Sequence, residues 1–139
     1  MTIAVIDGIG GGIGAQIVER LRREGIRDIT ILALGANAVA TQRMVDAGAD
    51  KGASGENAIR VSILSADHIL GPIGIVLPNA MMGEITPRIA EAVLAAPGKK
   101  FLLPLSQPHV EIVGMVQKNV NDLISDVIVA LKRSLPQPD

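Results

Sequence analysis

The chain opens with Thr2-Ile-Ala-Val-Ile6, β-branched and apolar residues that run into Asp7 and a loop holding Gly8, Gly10, Gly11, Gly12 and Gly14. An apolar stripe at helical spacing follows, with Ile13, Ile17, Val18 and Leu21 on one side and Gln16, Glu19, Arg20, Arg22 and Arg23 on the other. A buried strand, a glycine turn and a helix in this order form the phosphate cradle of parallel α/β domains. This stretch therefore orients everything after it.

The downstream pattern repeats the alternation. Gly25 stands where a left-handed helix cap belongs, and Asp28–Leu34 reads as a second buried strand ending at Gly35. Asn37 precedes a helix over 38–47 that Gly48 ends. A short third strand is expected near 50–53, then a helix from about residue 56 with Ser54 as cap. Asp67–Leu70 is a fourth strand, reaching Gly71 and Pro72. Residues 73–78 fit either an extended loop or a short buried helix, and 79–85 a loop with helical turns. Thr86-Pro87 is a helix start, with Thr as N-cap and Pro in the first turn. Residues 101–105 read as a fifth strand, 111–116 as a sixth at an edge, and the chain from Asn121 as a terminal amphipathic helix. Residues 136–139 are expected to fray.

Alternating strands and helices imply one α/β domain over 1–139, a three-layer Rossmann-like parallel sheet of five to six strands in the order 3-2-1-4-5. Its ligand crevice is expected beyond the carboxyl ends of strands 1 and 4, where the order reverses. The composition agrees: 48% hydrophobic residues with one Phe and no Trp or Tyr make an aliphatic core, as buried parallel strands require. With 0 Cys there is no thiol nucleophile and no thiolate metal site, and no metal centre is expected. A net charge of −1 offers no footprint for nucleic acid or an anionic membrane. No apolar run reaches the roughly 20 residues of a membrane span, and no signal peptide is visible, so a cytoplasmic location is expected.

Two registers describe the loop. Gly10-Gly-Gly12-Ile-Gly-Ala15 matches G-x-G-x-x-A, and Asp7-Gly8-x-x-x-Gly12-Ile13-Gly14 resembles the T-G-x-x-x-G-I-G turn of short-chain dehydrogenases, with Asp in place of Thr. Both place backbone N–H groups of a helix's first turn against an anion. Three features separate the chain from a standard dehydrogenase. No Asp or Glu follows strand 2 for a ribose 2′-hydroxyl, leaving Asn37 for that role or Arg43 for a 2′-phosphate. Asp7 brings a carboxylate to the proposed phosphate site, which repels the ligand or calls for a bridging cation unless loop N–H groups satisfy it. The absence of Tyr removes the Tyr-x-x-x-Lys proton-transfer pair.

The cofactor-binding set expected from these arguments is Asp7, Gly8, Gly10, Gly11, Gly12, Ile13, Gly14, Gly35, Asn37, Gly71, Pro72, Asn79 and Glu84. NAD(P) is the leading ligand, in an accessory, sensing or redox role. A binding module for another nucleotide or small anion is the alternative, and an oligomer with an empty glycine turn the third. Ser54, Glu56, Asn57 and Thr86 join the polar residues expected at the carboxyl edge, where capping explains each one singly. Asp7 or Glu84 can serve there as a base. His109 and Glu111 share a face if 111–116 is a strand, but without further ligands or a nucleophile elbow around Ser106 they assemble no metal site or triad. Met81-Met82 reads as an apolar plug. A homodimer is expected, through the terminal helix or the 111–116 segment.

Beyond the loop, Val5–Gly14, Ala33–Thr41, Gly52–Ala58, Gly71–Ile75, Gly83–Pro87 and Glu111–Gly114 together resemble a family of short bacterial proteins defined as a domain of unknown function. The resemblance covers nearly all 139 residues and implies a Rossmann-like fold without an established reaction. Where the family pattern leads one to expect a polar or Cys-containing turn before the Glu-Ile-Val-Gly segment, this chain has Gln107-Pro-His109, so no cysteine acts there.

Overall fold

The computed structural model describes residues 1–136; the expected fraying of 137–139 lies outside them. Five parallel strands form one sheet: β1 (Thr2–Asp7), β2 (Thr30–Gly35), β3 (Lys51–Ser54), β4 (His68–Pro72) and β5 (Lys99–Leu103). Their order is 3-2-1-4-5, as the alternation requires. The central strand pairs Thr2 with Thr30 through Asp7 with Gly35 on one side, and Ile3 with His68 through Val5 with Leu70 on the other.

Because successive side chains leave a strand on opposite faces, β1 divides its apolar residues between two cores. Ile3 and Val5 pack with α1 (Gly12–Arg23), α2 (Ala38–Asp46) and the terminal α5 (Val120–Ser134). Ala4 and Ile6 pack with α3 (Glu56–Ser62) and α4 (Pro87–Ala95). Helices therefore cover both faces, and burying each large aliphatic side chain contributes about 1.5–3 kcal/mol. Of the predicted stripe of α1, Ile17, Val18 and Leu21 are fully buried and Ile13 is half-buried. None of the helices among the described residues is long and apolar enough to cross a membrane.

Caps follow local chemistry. Asn37 Oδ1 accepts from Ala40 N–H at 2.8 Å, and Thr86 Oγ1 from Ile89 N–H at 3.1 Å. Gly25 adopts φ 62° after α1, as a left-handed cap does. Gly55, not Ser54, is the N-cap of α3; the Ser54 hydroxyl instead donates to Thr41 Oγ1 at 2.7 Å.

Several boundaries move. β2 starts at Thr30 because Asp28 is left-handed (φ 56°), its carbonyl accepting from the N-terminal ammonium at 3.0 Å. β5 occupies 99–103 rather than 101–105, since Pro104 has no N–H for the ladder. α5 starts one residue before Asn121, capped by Asn119. Residues 73–78 resolve into a 3₁₀ turn over Ile73–Val76 followed by a bend.

The sixth strand is not formed. Residues 111–119 are irregular, with an isolated antiparallel bridge between Gln107 and Val110 just before them. A β-branched run becomes a strand only when another edge takes its N–H and C=O groups. Here the segment turns on itself instead, through Gly114 at φ 86° and a Met115 N–H to Ile112 carbonyl bond of 3.4 Å.

Candidate nucleotide-binding site

The reversal of strand order between β1 and β4 places a crevice above their carboxyl ends, and the loop joining β1 to α1 forms one wall. Asp7, the last residue of β1, points to the α1 side. Its two carboxylate oxygens accept from Gly8 N–H at 2.8 Å and from Gly14 N–H at 2.7 Å, and the residue is only 4% exposed. Burial raises its pKa above the ordinary carboxylate value; the Gly14 and Gly8 bonds pull the other way, and the Glu84 charge adds to the rise. Asp7 is thus satisfied internally, and it consumes one first-turn donor that a phosphate would otherwise use.

Glu84 closes over the loop from the segment after β4. Its Oε1 accepts from Ile9 N–H at 3.0 Å and from Asn37 Nδ2 at 2.8 Å, while the same Asn37 amide donates to the Ile9 carbonyl at 2.8 Å. Asn37 therefore caps α2 and ties three loops together, 47 residues away in sequence from Glu84. The predicted trio of Asp7, Asn37 and Glu84 is brought together, with its polar atoms directed at protein partners.

The glycines fall into two groups. A β-carbon at Gly8 would lie 2.8 Å from Met81 Sδ, and at Gly14 2.5 Å from Met44 Sδ. At Gly11, where φ is 71°, a β-carbon would lie 2.7 Å from Ala40 Cα, and at Gly35 it would collide with Thr41 Oγ1. These four serve turn and packing. Gly10 and Gly12 differ: neither has positive φ, and the atom nearest to a β-carbon at either is Arg43 Nη1, at 3.8 and 3.4 Å. No backbone crowds them. Among the described residues, no acceptor is found for the N–H groups of Gly10, Gly12 and Ile13.

Arg43 completes that rim. It projects from α2 beside the buried Ala40 and Met44, and its Nη1 donates to the Gly10 carbonyl at 3.3 Å. From the sequence, Arg43 is expected only against a 2′-phosphate. Its spacing three residues after Ala40 was the available signal that it faces the start of α1. The N–H groups of Gly10, Gly12 and Ile13, at and just before the start of α1, and one guanidinium are donors of the kind that oxyanions accept from.

Other expected residues lie elsewhere. Gly71 and Pro72 are buried inside β4, paired with Leu102 and Leu103, and a β-carbon at Gly71 would meet the Ile6 carbonyl at 2.5 Å. Asn79 is exposed on the loop after β4 at φ 67°, its backbone bonded to Ile85 and Gly83. Glu56 accepts from the Thr86 hydroxyl, linking α3 to the start of α4. Ser106, His109 and Glu111 are exposed in the irregular segment, with His109 left-handed at φ 60°, so His109 and Glu111 share no strand face. Met81 is half-buried against Gly8, whereas Met82 is 98% exposed.

Among solved structures, the chain resembles a dodecameric FMN-dependent Ubix-like decarboxylase from Escherichia coli O157:H7 with a TM-score of 0.50 and 18% sequence identity. The match covers 96% of this chain and 76% of that one, a likeness of fold. No curated protein matches the sequence. Residues 2–136 match the family described as Domain of unknown function (DUF3842), and the chain belongs to that family.

Proposed function

We propose that the chain is a nucleotide-binding protein whose glycine loop holds one phosphate group, and that the ligand is a mononucleotide. The observation that carries this reading is that Gly10 and Gly12 have no conformational or packing reason to be glycine. A side chain at either would cover free N–H groups and displace Arg43, so the missing side chains keep an anion's approach open.

The donor count favours one phosphate over the pyrophosphate of NAD(P). Asp7 holds Gly8 and Gly14 N–H, Glu84 holds Ile9 N–H, and Gly11 N–H is bonded to the Gly8 carbonyl. What remains suits one phosphate at the outer rim, while a second would face two carboxylates. At about 4 Å such a like-charge contact costs on the order of 4 kcal/mol near a protein surface. The likeness to an FMN-dependent enzyme supports the same ligand class, since FMN carries a single phosphate.

The chain self-associates through residues 110–116, where Val110, Val113, Met115 and Val116 are 46–91% exposed. The dodecameric state of the structural neighbour supports an oligomer without fixing its size.

The test is a thermal-shift panel of phosphate, AMP, FMN, NAD and NADP, with mass spectrometry of anything released when the purified protein is denatured. Monophosphates are expected to raise the melting temperature, and Gly12→Val to remove that shift while the protein stays folded. A larger shift with NAD or NADP restores the dinucleotide reading. No shift with any of them, with Gly12→Val indistinguishable from wild type, leaves the loop an empty turn and overturns the proposal.

A further inference from the structure

Above the carboxyl ends of β4 and β5 lies a cavity of about 400 Å³. Ile73 and Leu77, after β4, and Leu105, after β5, form part of its wall, and Ile112 and Met115 of the irregular segment contribute more. Glu111, Gln117 and Lys118 share the lining with Gln107, whose side-chain amide makes no hydrogen bond with another described residue. A wall that is aliphatic on one part and polar on another suits a flat ring: the aliphatic side chains provide dispersion contact on its faces, and the Gln107 amide can donate and accept at its edge.

Met81 stands between this cavity and the glycine loop. Its Sδ is 2.8 Å from the β-carbon position of Gly8, and its Cε is 3.4 Å from that of Gly74. Gln107 Nε2 is 3.5 Å from the same Gly74 β-carbon position. One unbranched side chain therefore spans from the loop to the cavity's amide, and its free rotation lets it move aside. Neighbouring strands lie about 4.8 Å apart, which sets the cavity above β4 and β5 some 5–10 Å sideways from β1. The sugar or sugar alcohol joining phosphate to ring in a mononucleotide bridges that interval.

We infer that this cavity is the ring-binding half of the site, separated from the phosphate loop by Met81, and that the ligand is a planar heteroaromatic monophosphate whose ring edge pairs with the Gln107 amide. The inference rests on the glycine-loop reading and assigns the part of the ligand that reading leaves open. Met81 is the divider that a bound ligand displaces. Gln107 is the residue that selects the ring.

Three probes separate the two claims: ribose 5-phosphate, which has the phosphate and no ring, and AMP and FMN, which have both. At least one ring-bearing probe is expected to bind wild type about ten-fold more tightly than ribose 5-phosphate. Gln107→Leu should lower that probe's affinity about ten-fold and leave ribose 5-phosphate unchanged, since it removes one hydrogen-bonding amide at nearly constant volume. Met81→Ala should strengthen the ring-bearing probe several-fold, again without effect on ribose 5-phosphate, and it provides an independent readout should Gln107→Leu fold poorly. If all three probes bind equally, lose binding in Gly12→Val, and ignore both other variants, the ring site is overturned and the phosphate loop stands. If no monophosphate binds wild type, both fall.

Discussion

Asp7 Oδ2 accepts from Gly14 N–H at 2.7 Å, so the carboxylate ending β1 acts as the anion of its own helix N-terminus. Geometry and titration oppose each other here, because burial raises the Asp7 pKa while two N–H bonds favour the charged form. A carboxyl whose folded pKa is raised binds more protons folded than unfolded. Its contribution to stability is full below the unfolded value, about pH 4, and declines as pH rises through the folded value. Asp7→Asn removes that decline but sets an NH2 group against a backbone donor, at a cost of about 1–3 kcal/mol. Urea melts from pH 3.5 to 7 should show the variant less stable throughout, with the largest deficit at the acid end. A deficit independent of pH rejects the raised pKa.

The two groups of glycines should separate in mutagenesis. Gly11→Ala forces a β-carbon into the Ala40 backbone at positive φ, and Gly14→Ala drives one against Met44 and Asp7. Each is expected to destabilise by about 2 kcal/mol or more. Gly10→Ala and Gly12→Ala meet only the mobile end of Arg43 and should stay within about 0.5 kcal/mol of wild type. Thermal melts followed by circular dichroism distinguish the pairs, and equal losses at all four positions reject the distinction.

His68 sits at the other end of the sheet, 9% exposed, its ring 6.0 Å from that of Phe101 and its buried Nδ1 without a partner among the described residues. Burial lowers its pKa, so the neutral form is the one that folds. The associated stability is full above the unfolded value of about 6.5 and is lost as pH falls through the lower folded value. Wild type should therefore lose more melting temperature between pH 7.5 and 5 than His68→Leu does. Parallel curves for the two proteins contradict the assignment.

The first thirty-five residues were the most legible, because the apolar pattern changes period at the glycines and no distant contact is needed to see it. Strand order followed from alternation and right-handed crossovers. What stayed hidden depends on contacts remote in sequence. Asp28 is left-handed where its carbonyl meets the ammonium of Met1, and Glu84 reaches Asn37 across 47 residues. Residues 111–116 have strand composition, and composition cannot say that no edge is offered to them. Gly10 and Gly12 look like Gly11 and Gly14 on paper; only the positions of Ala40, Met44 and Arg43 tell them apart.

Self-association is testable at Val113 and Val116, which are 91% and 74% exposed. Changing both to Lys removes apolar surface from a partner, and neither residue belongs to the two buried cores. The double variant is expected to keep the wild-type far-UV spectrum and to elute as a monomer in size-exclusion chromatography with light scattering, where wild type elutes larger. Wild type already monomeric at tens of micromolar overturns the interface.

Arg43 carries the last prediction, because its charge and its packing can be separated. The side chain is exposed, and among the described residues it pairs with no carboxylate and makes one hydrogen bond, a 3.3 Å contact to the Gly10 carbonyl. Replacement by Gln therefore removes little fold stability and should leave the melting temperature of the ligand-free protein nearly unchanged. For a bound phosphate the change removes the one cation at the rim while the helix N-terminus remains, and charge-assisted bonds of this kind contribute about 1.5–3 kcal/mol. Monophosphate affinity should fall about ten-fold or more, and the salt dependence of binding should flatten, because exposed charge interactions are screened over roughly 10 Å at 0.1 M salt. Lys at this position should restore part of the affinity and the salt slope, since it returns the charge without the bidentate fork. Equal affinity in all three proteins would place the phosphate away from Arg43.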